Sequence, residues 1–150
     1  MSPLARVTTV PKMFLNGTAM SGQKDHACHA GSKLLGPART AAKYRFFVLR
    51  DEFPGLFPVE HGGRMIVGEL YDMPVHVLRD QLLPGEPREL ALGEIELEDG
   101  EIVNAMLLVP DSITPGDKVV DIAELGGFRA YQAFLRANAR TGSVLGRDDL

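Results

Sequence analysis

The chain has 150 residues, a formal net charge of −4 and an apolar share of 45%. That size suits one domain with a real core, and the acidity disfavours general nucleic-acid binding. No apolar run approaches the roughly 20 residues a membrane span needs, and Met1–Val10 lacks a basic-then-apolar signal pattern. The single cysteine, Cys28, excludes an internal disulfide and fits a reducing, cytoplasmic setting.

Charge is unevenly distributed. Residues 1–50 hold eight Lys/Arg and one acid, Asp25, while residues 51–150 hold eight bases and nineteen acids. Either the halves pair within one fold, or Lys24, Lys33, Arg39, Lys43 or Arg45 attract an anionic ligand.

In chain order, residues 1–11 read as a loose leader, with Val7–Val10 able to form a short edge strand. Lys12–Asn16 predicts a strand ended by the Asn16-Gly17 turn, because both residues tolerate positive φ. A loop or short helical turn follows over 18–24, and 25–36 is of mixed character, closed by Gly36-Pro37. Ala41–Leu49 predicts a strand with Tyr44, Phe46 and Val48 on one face and Phe47 and Leu49 on the other. Asp51–Val59, with Pro54, Gly55 and Pro58, reads as an irregular loop. Gly62-Gly63 turns the chain into a strand over Arg64–Tyr71, in which Gly68 marks a bulge or a close backbone approach. Pro74–Leu83 predicts a helix, capped by Asp72 and stopped by Pro84-Gly85. Glu94–Glu98 and Glu101–Leu108 form a hairpin around Asp99-Gly100, its acids on a wet face. Asp121 caps a further helical segment, and Phe128–Ala139 predicts a helix with Tyr131, Phe134 and Leu135 as its apolar stripe. The domain so delimited is 12–140, with 141–150 as a C-terminal tail.

Several segments carry a resemblance. Met13-Phe14-Leu15-Asn16-Gly17-Thr18-Ala19-Met20, Phe53-Pro54-Gly55-Leu56-Phe57 and Val67-Gly68-Glu69-Leu70-Tyr71 resemble the gamma-glutamylcyclotransferase-like family. Ala38-Arg39-Thr40-Ala41, Leu92–Gly100 and Asp121-Ile122 leading to Gly126–Tyr131 resemble one branch of it, the C-terminal domain of allophanate hydrolases. The fold this implies is α+β and mostly β: a small closed or nearly closed mixed β-barrel with two main helices. In the family, the loop after the first strand cradles the substrate and a glutamate beyond the next helix serves as acid and base. Here Asn16 stands where cyclotransferases carry tyrosine, and Glu86 is the nearest match to the glutamate. The allophanate branch often lacks that glutamate and is linked with a decarboxylation step beside an amidase domain, which a chain of this length does not hold.

The resemblance therefore implies Glu86 as the catalytic group and Asn16, Gly17, Thr18, Ala19, Met20 and Tyr71 as substrate contacts. The substrate would be a small polar carboxylate or amide, and an amidase partner would act in trans. Gly17 and Gly22 free backbone N–H groups to face an anion, and Thr18 adds a hydroxyl. Three functions are open: a cyclotransferase on gamma-glutamyl compounds, an allophanate-type domain that decarboxylates or accompanies an amidase, and a non-catalytic binding module for a small acid. Glu69, in an apolar strand, needs a partner such as Arg45 or Arg64. His26, Cys28 and His29 would need His61 or His76 to hold a metal, and Cys28 beside His29 would need an activating environment to act as a nucleophile. Neither a metal nor an organic cofactor is called for.

Overall fold

The structure, a computed structural model, describes residues 10–140; the expected tail and all but the end of the expected leader and edge strand lie outside them. Eight strands form one mixed sheet: β1 (Lys12–Leu15), β2 (Lys33–Arg39), β3 (Tyr44–Leu49), β4 (Phe53–Pro58), β5 (Val67–Asp72), β6 (Leu90–Glu96), β7 (Ile102–Leu108) and β8 (Val119–Asp121). They run in the order β2-β5-β1-β7-β4-β3-β8, with β6 on the other edge of β7. The sheet curls: a Thr40–Leu97 bridge and the bonds Ala41 N–H to Glu96 O and Glu98 N–H to Arg39 O join the end of β2 to the end of β6.

The period-two pattern of β3 holds. Tyr44, Phe46 and Val48 are buried in the main core, and Leu49 packs on the other face with Phe53 and Leu108. The hairpin forms as expected, pairing Glu96 with Ile102 across a turn in which Gly100 has φ 92°. Gly68 is a close approach: a Cβ there would lie 2.4 Å from the Leu15 carbonyl oxygen.

Five expectations change. Asp51–Val59 is not an irregular loop but carries β4, paired with β3 from Phe53 to Pro58. Pro54 and Pro58 share the register of Leu56, so their missing N–H groups fall away from β3, on the side where only Leu56 meets β7. The mixed segment before Gly36-Pro37 is β2, an edge strand that runs through both residues with a register shift between Leu34 and Gly36. The helix after β5 is one α-turn at Val75–Val77, a π-turn at Leu78–Leu82 and a 3-10 turn at Leu83–Gly85, together α1. Pro84 has no N–H to continue an α ladder. Asp72 is not its cap but lies in β5, paired with Lys12 and Lys33. Asp121 does accept from Ala123 N–H at 3.0 Å, and the final helix α2 (Phe128–Arg140) buries Phe128 and Tyr131 but leaves Phe134 and Leu135 exposed.

The charge halves pair within the fold. Lys12 meets Glu101, Arg39 meets Glu98, Lys43 meets Glu96 and Arg45 meets Asp121 and Glu124. Among the described residues, Lys24 and Lys33 have no ion-pair partner.

Candidate active site

β7 changes partner at Met106. It runs parallel to β1 through Asn104 and Ala105, and parallel to β4 through Leu107. The chain leaving β1 passes close to the start of β4: a Cβ on Gly17 would sit 2.6 Å from Pro54 Cδ, so only glycine fits. A small cleft opens here, with about 40 Å³ accessible to water. Asn16–Ala19, Phe53-Pro54 and Glu86-Pro87 line it around an apolar base that includes Phe14, Leu90 and Met106.

The loop after β1 leaves one set of groups unused. Every carbonyl from Gly17 to Ser21 is engaged, by Met20 N–H, Asp25 N–H, the His29 ring, Gln23 N–H and Arg129 in turn. The Met20 and Ser21 N–H groups donate to Gly17 O and Glu69 Oε1. The N–H groups of Gly17, Thr18 and Ala19 have no acceptor among the described residues. Backbone donors are seldom left unpaired unless water or a ligand takes them, and three in succession make an anion-binding feature.

Glu86 comes to the same cleft from another part of the chain. It follows the 3-10 turn that closes α1, where its extended backbone (φ −79°, ψ 143°) carries it away from the helical axis. It is partly buried, and its carboxyl has no hydrogen-bond partner among the described residues. Desolvation, and next the negative charge of Asp25, push it up to about 7. On its other side, a charged recess is lined by Lys24, Asp25, Arg50 and Glu52. The Glu86 loop is anchored by Glu89, buried and bonded to Arg50 Nη1 at 3.0 Å; Arg50 also binds Glu52 and Asp117. Arg50 and Asp51 take φ 52° and 61°, a turn that side chains rarely adopt.

The structure thus brings Asn16, Gly17, Thr18, Ala19 and Glu86 together and places the other two site expectations elsewhere. Met20 is buried behind the loop, and Tyr71 is buried with its hydroxyl on Glu69 Oε1 at 2.9 Å. Glu69 is not paired with Arg45 or Arg64. It accepts from Ser21 N–H at 2.7 Å, Ser21 Oγ–H at 2.5 Å and Tyr71 Oη–H, and Arg129 lies 3.4 Å away. Burial pushes its carboxyl up, but these donors outweigh it and leave it below the usual range. His29 spends both ring nitrogens inside the protein, on Ser32 Oγ and Ala19 O, each at 2.6 Å. Sequence reasoning missed Asp25, Ser21, His29 and Arg129 in these roles. Only Arg129 stood within a family-like segment, and nothing local tied it to a loop 108 residues away.

The allophanate hydrolase C-terminal domain model matches residues 11–133. A urea amidolyase from Lachancea kluyveri is 31% identical over 107 residues, which is 68% of this chain and 6% of that protein. The chain therefore spans a small fraction of the curated relatives it matches. The Kluyveromyces lactis allophanate hydrolase superposes with a TM-score of 0.75 at 27% identity, over 83% of this chain and 21% of that one. A uropathogenic E. coli-specific protein superposes with a TM-score of 0.74 at 33% identity, over 82% of this chain and 95% of its own. A mouse AIG2-like protein, at 20% identity and a TM-score of 0.52 over 70% of this chain and 80% of its own, shares the fold.

Proposed function

We propose that this chain, which belongs to the allophanate hydrolase C-terminal domain family, is an enzyme that releases carbon dioxide from a small N-carboxylated amide, with Glu86 as its proton donor. The observation that carries this is the meeting, in one cleft, of a carboxyl pushed up to about 7 and three backbone N–H groups with no acceptor among the described residues.

The chemistry asks for both. In such a decarboxylation the bond between nitrogen and the carboxyl carbon breaks, and its electron pair stays on nitrogen. Charge then spreads onto the neighbouring amide oxygen. Donors held at the Gly17–Ala19 backbone stabilise that oxygen, and they act most where charge develops. Glu86, still about half protonated at neutrality, passes its proton to the nitrogen as carbon dioxide departs. An amidase in trans would supply the substrate, in keeping with the relatives' names.

A second reading rests on where Glu86 lies, directly after the helical segment that follows the Gly68-Glu69-Leu70-Tyr71 strand. This is the place of the cyclotransferase glutamate. In that reaction the α-amine of a gamma-glutamyl group attacks its own side-chain carbonyl. Glu86 takes the amine proton and returns it to the departing nitrogen.

The test incubates wild type and Glu86→Gln with allophanate plus an amidase, and separately with gamma-glutamyl amines, reading carbon dioxide and 5-oxoproline by mass spectrometry. Carbon dioxide release that wild type accelerates and Glu86→Gln does not is expected. Release of 5-oxoproline alone would move the site to the second reading. Neither product, or equal turnover by both proteins, would remove the catalytic role of Glu86.

A further inference from the structure

The three N–H groups without an acceptor among the described residues sit on a loop that has no regular secondary structure, and their usefulness depends on its backbone being held still. Side chains from three separate elements do the holding. From β5, Glu69 takes both the N–H (2.7 Å) and the hydroxyl (2.5 Å) of Ser21. From α2, Arg129 donates to the Ser21 carbonyl at 2.5 Å and reaches Glu69 Oε2 at 3.4 Å. From the 3-10 turn His26–His29, the ring of His29 reaches the Ala19 carbonyl at 2.6 Å. A carbonyl only accepts, so Nε2 carries a proton, and Nδ1 is paired with Ser32 Oγ.

The effect is selective. Both polar backbone groups of Ser21 and the carbonyl of Ala19 are consumed by these side chains, while the Gly17, Thr18 and Ala19 donors are left for the cleft. Glu69 does not line that cleft. Saturated by donors and held ionised, it is a strong acceptor and a poor base.

We propose that Glu69 is a positioning residue, acting with Arg129 and His29 to fix the 16–21 loop so that its unpaired N–H groups face the substrate. This rests on the reading of the cleft as the reaction site. The family-like Gly-Glu-Leu-Tyr stretch would then serve the site at one remove. Its glutamate grips the substrate loop, and Tyr71, bonded to the second lone pair of Glu69 Oε1, braces the glutamate.

The experiment follows amide hydrogen exchange and amide chemical shifts by NMR in wild type, Glu69→Gln and Arg129→Met. The glutamine keeps the shape of Glu69 but presents one acceptor oxygen. Arg129→Met keeps packing at a half-exposed position, so it folds even if Glu69→Gln does not. Exchange at Met20 and Ser21 at least about tenfold faster, with Phe46 and Ala105 in the core unchanged, is expected in either variant. Where wild type turns over allophanate-derived substrate, Glu69→Gln should lose kcat/KM about tenfold or more and keep the midpoint of the pH profile, since Glu86 is untouched. Loop amides that exchange as in wild type, or a uniform acceleration over the whole chain, would overturn the proposal. The exchange readout does not depend on turnover, so a wild-type chain with no activity would defeat the functional reading and leave the clamp to be judged by its amides.

Discussion

Glu69, in β5, and Glu86, just past α1, are both withdrawn from water, and the protein treats them in opposite ways. Glu69 receives two donors from Ser21 and one from Tyr71, with Arg129 near, and its carboxyl falls below the usual range. Glu86 receives none among the described residues, has Asp25 nearby, and rises to about 7. Burial alone raises a carboxyl; the partners supplied decide the sign. The first carboxylate is a structural fixture and the second is left free to exchange a proton.

The largest effect expected from breaking that contrast is catalytic. Glu86→Gln should lower turnover at least about a hundredfold, the usual scale for a positioned proton donor, while its circular dichroism stays that of wild type. Retained turnover would place the chemistry elsewhere.

Removing the other carboxylate should cost stability instead. Glu69→Ala leaves the Tyr71 hydroxyl and Ser21 without their acceptor, and about 2–4 kcal/mol of destabilisation in urea unfolding is expected. A loss near zero would mean that water replaces the carboxylate freely.

The two groups also predict opposite pH limbs. The lowered Glu69 contributes stability that is present above the ordinary carboxylate range and is lost as pH falls. The raised Glu86 contributes in the other sense: folding favours its protonated form, so stability is lost as pH rises from the ordinary range through about 7. Glu86→Gln should therefore be more stable than wild type above pH 7, by about 1–2 kcal/mol once partial exposure is allowed for, and equal to it near pH 4. A pH series of denaturation midpoints checks this, and parallel curves for the two proteins would contradict the raised carboxyl.

The smallest change belongs to the surface. Arg39→Ala removes an ion pair with Glu98 in which both side chains are about half exposed, and should cost no more than about 0.5 kcal/mol. A larger loss would show that the join between β2 and β6 leans on charge as well as on its backbone bonds.

Much of the frame was readable from local pattern. The alternation of Tyr44, Phe46 and Val48 and the Asp99-Gly100 turn each express a preference of a few neighbouring residues, and each formed; β1 does end before Asn16-Gly17, but neither residue takes a positive φ, and Gly17 answers to its close approach to Pro54. β4 was unreadable for a physical reason. Its prolines lack donors, and whether that forbids a strand depends on which side of the ladder needs them. The exposed Phe134 and Leu135 show the reverse failure, a helical apolar stripe of which only Tyr131 found the core.

By itself the sequence determined a turn-rich, mostly β chain whose segments resemble the gamma-glutamylcyclotransferase-like fold, with a glycine-bearing loop after the first strand and a glutamate just past Pro84-Gly85. Tertiary structure alone decided that the loop and Glu86 share a cleft, that the N–H groups of Gly17, Thr18 and Ala19 meet no acceptor among the described residues, and that Glu69 answers to Ser21 and Arg129 and not to Arg45 or Arg64. Those facts hang on contacts between residues 48, 60 and 108 positions apart. No local preference encodes such contacts, because they exist only once the sheet has curled and α2 has docked against the loop.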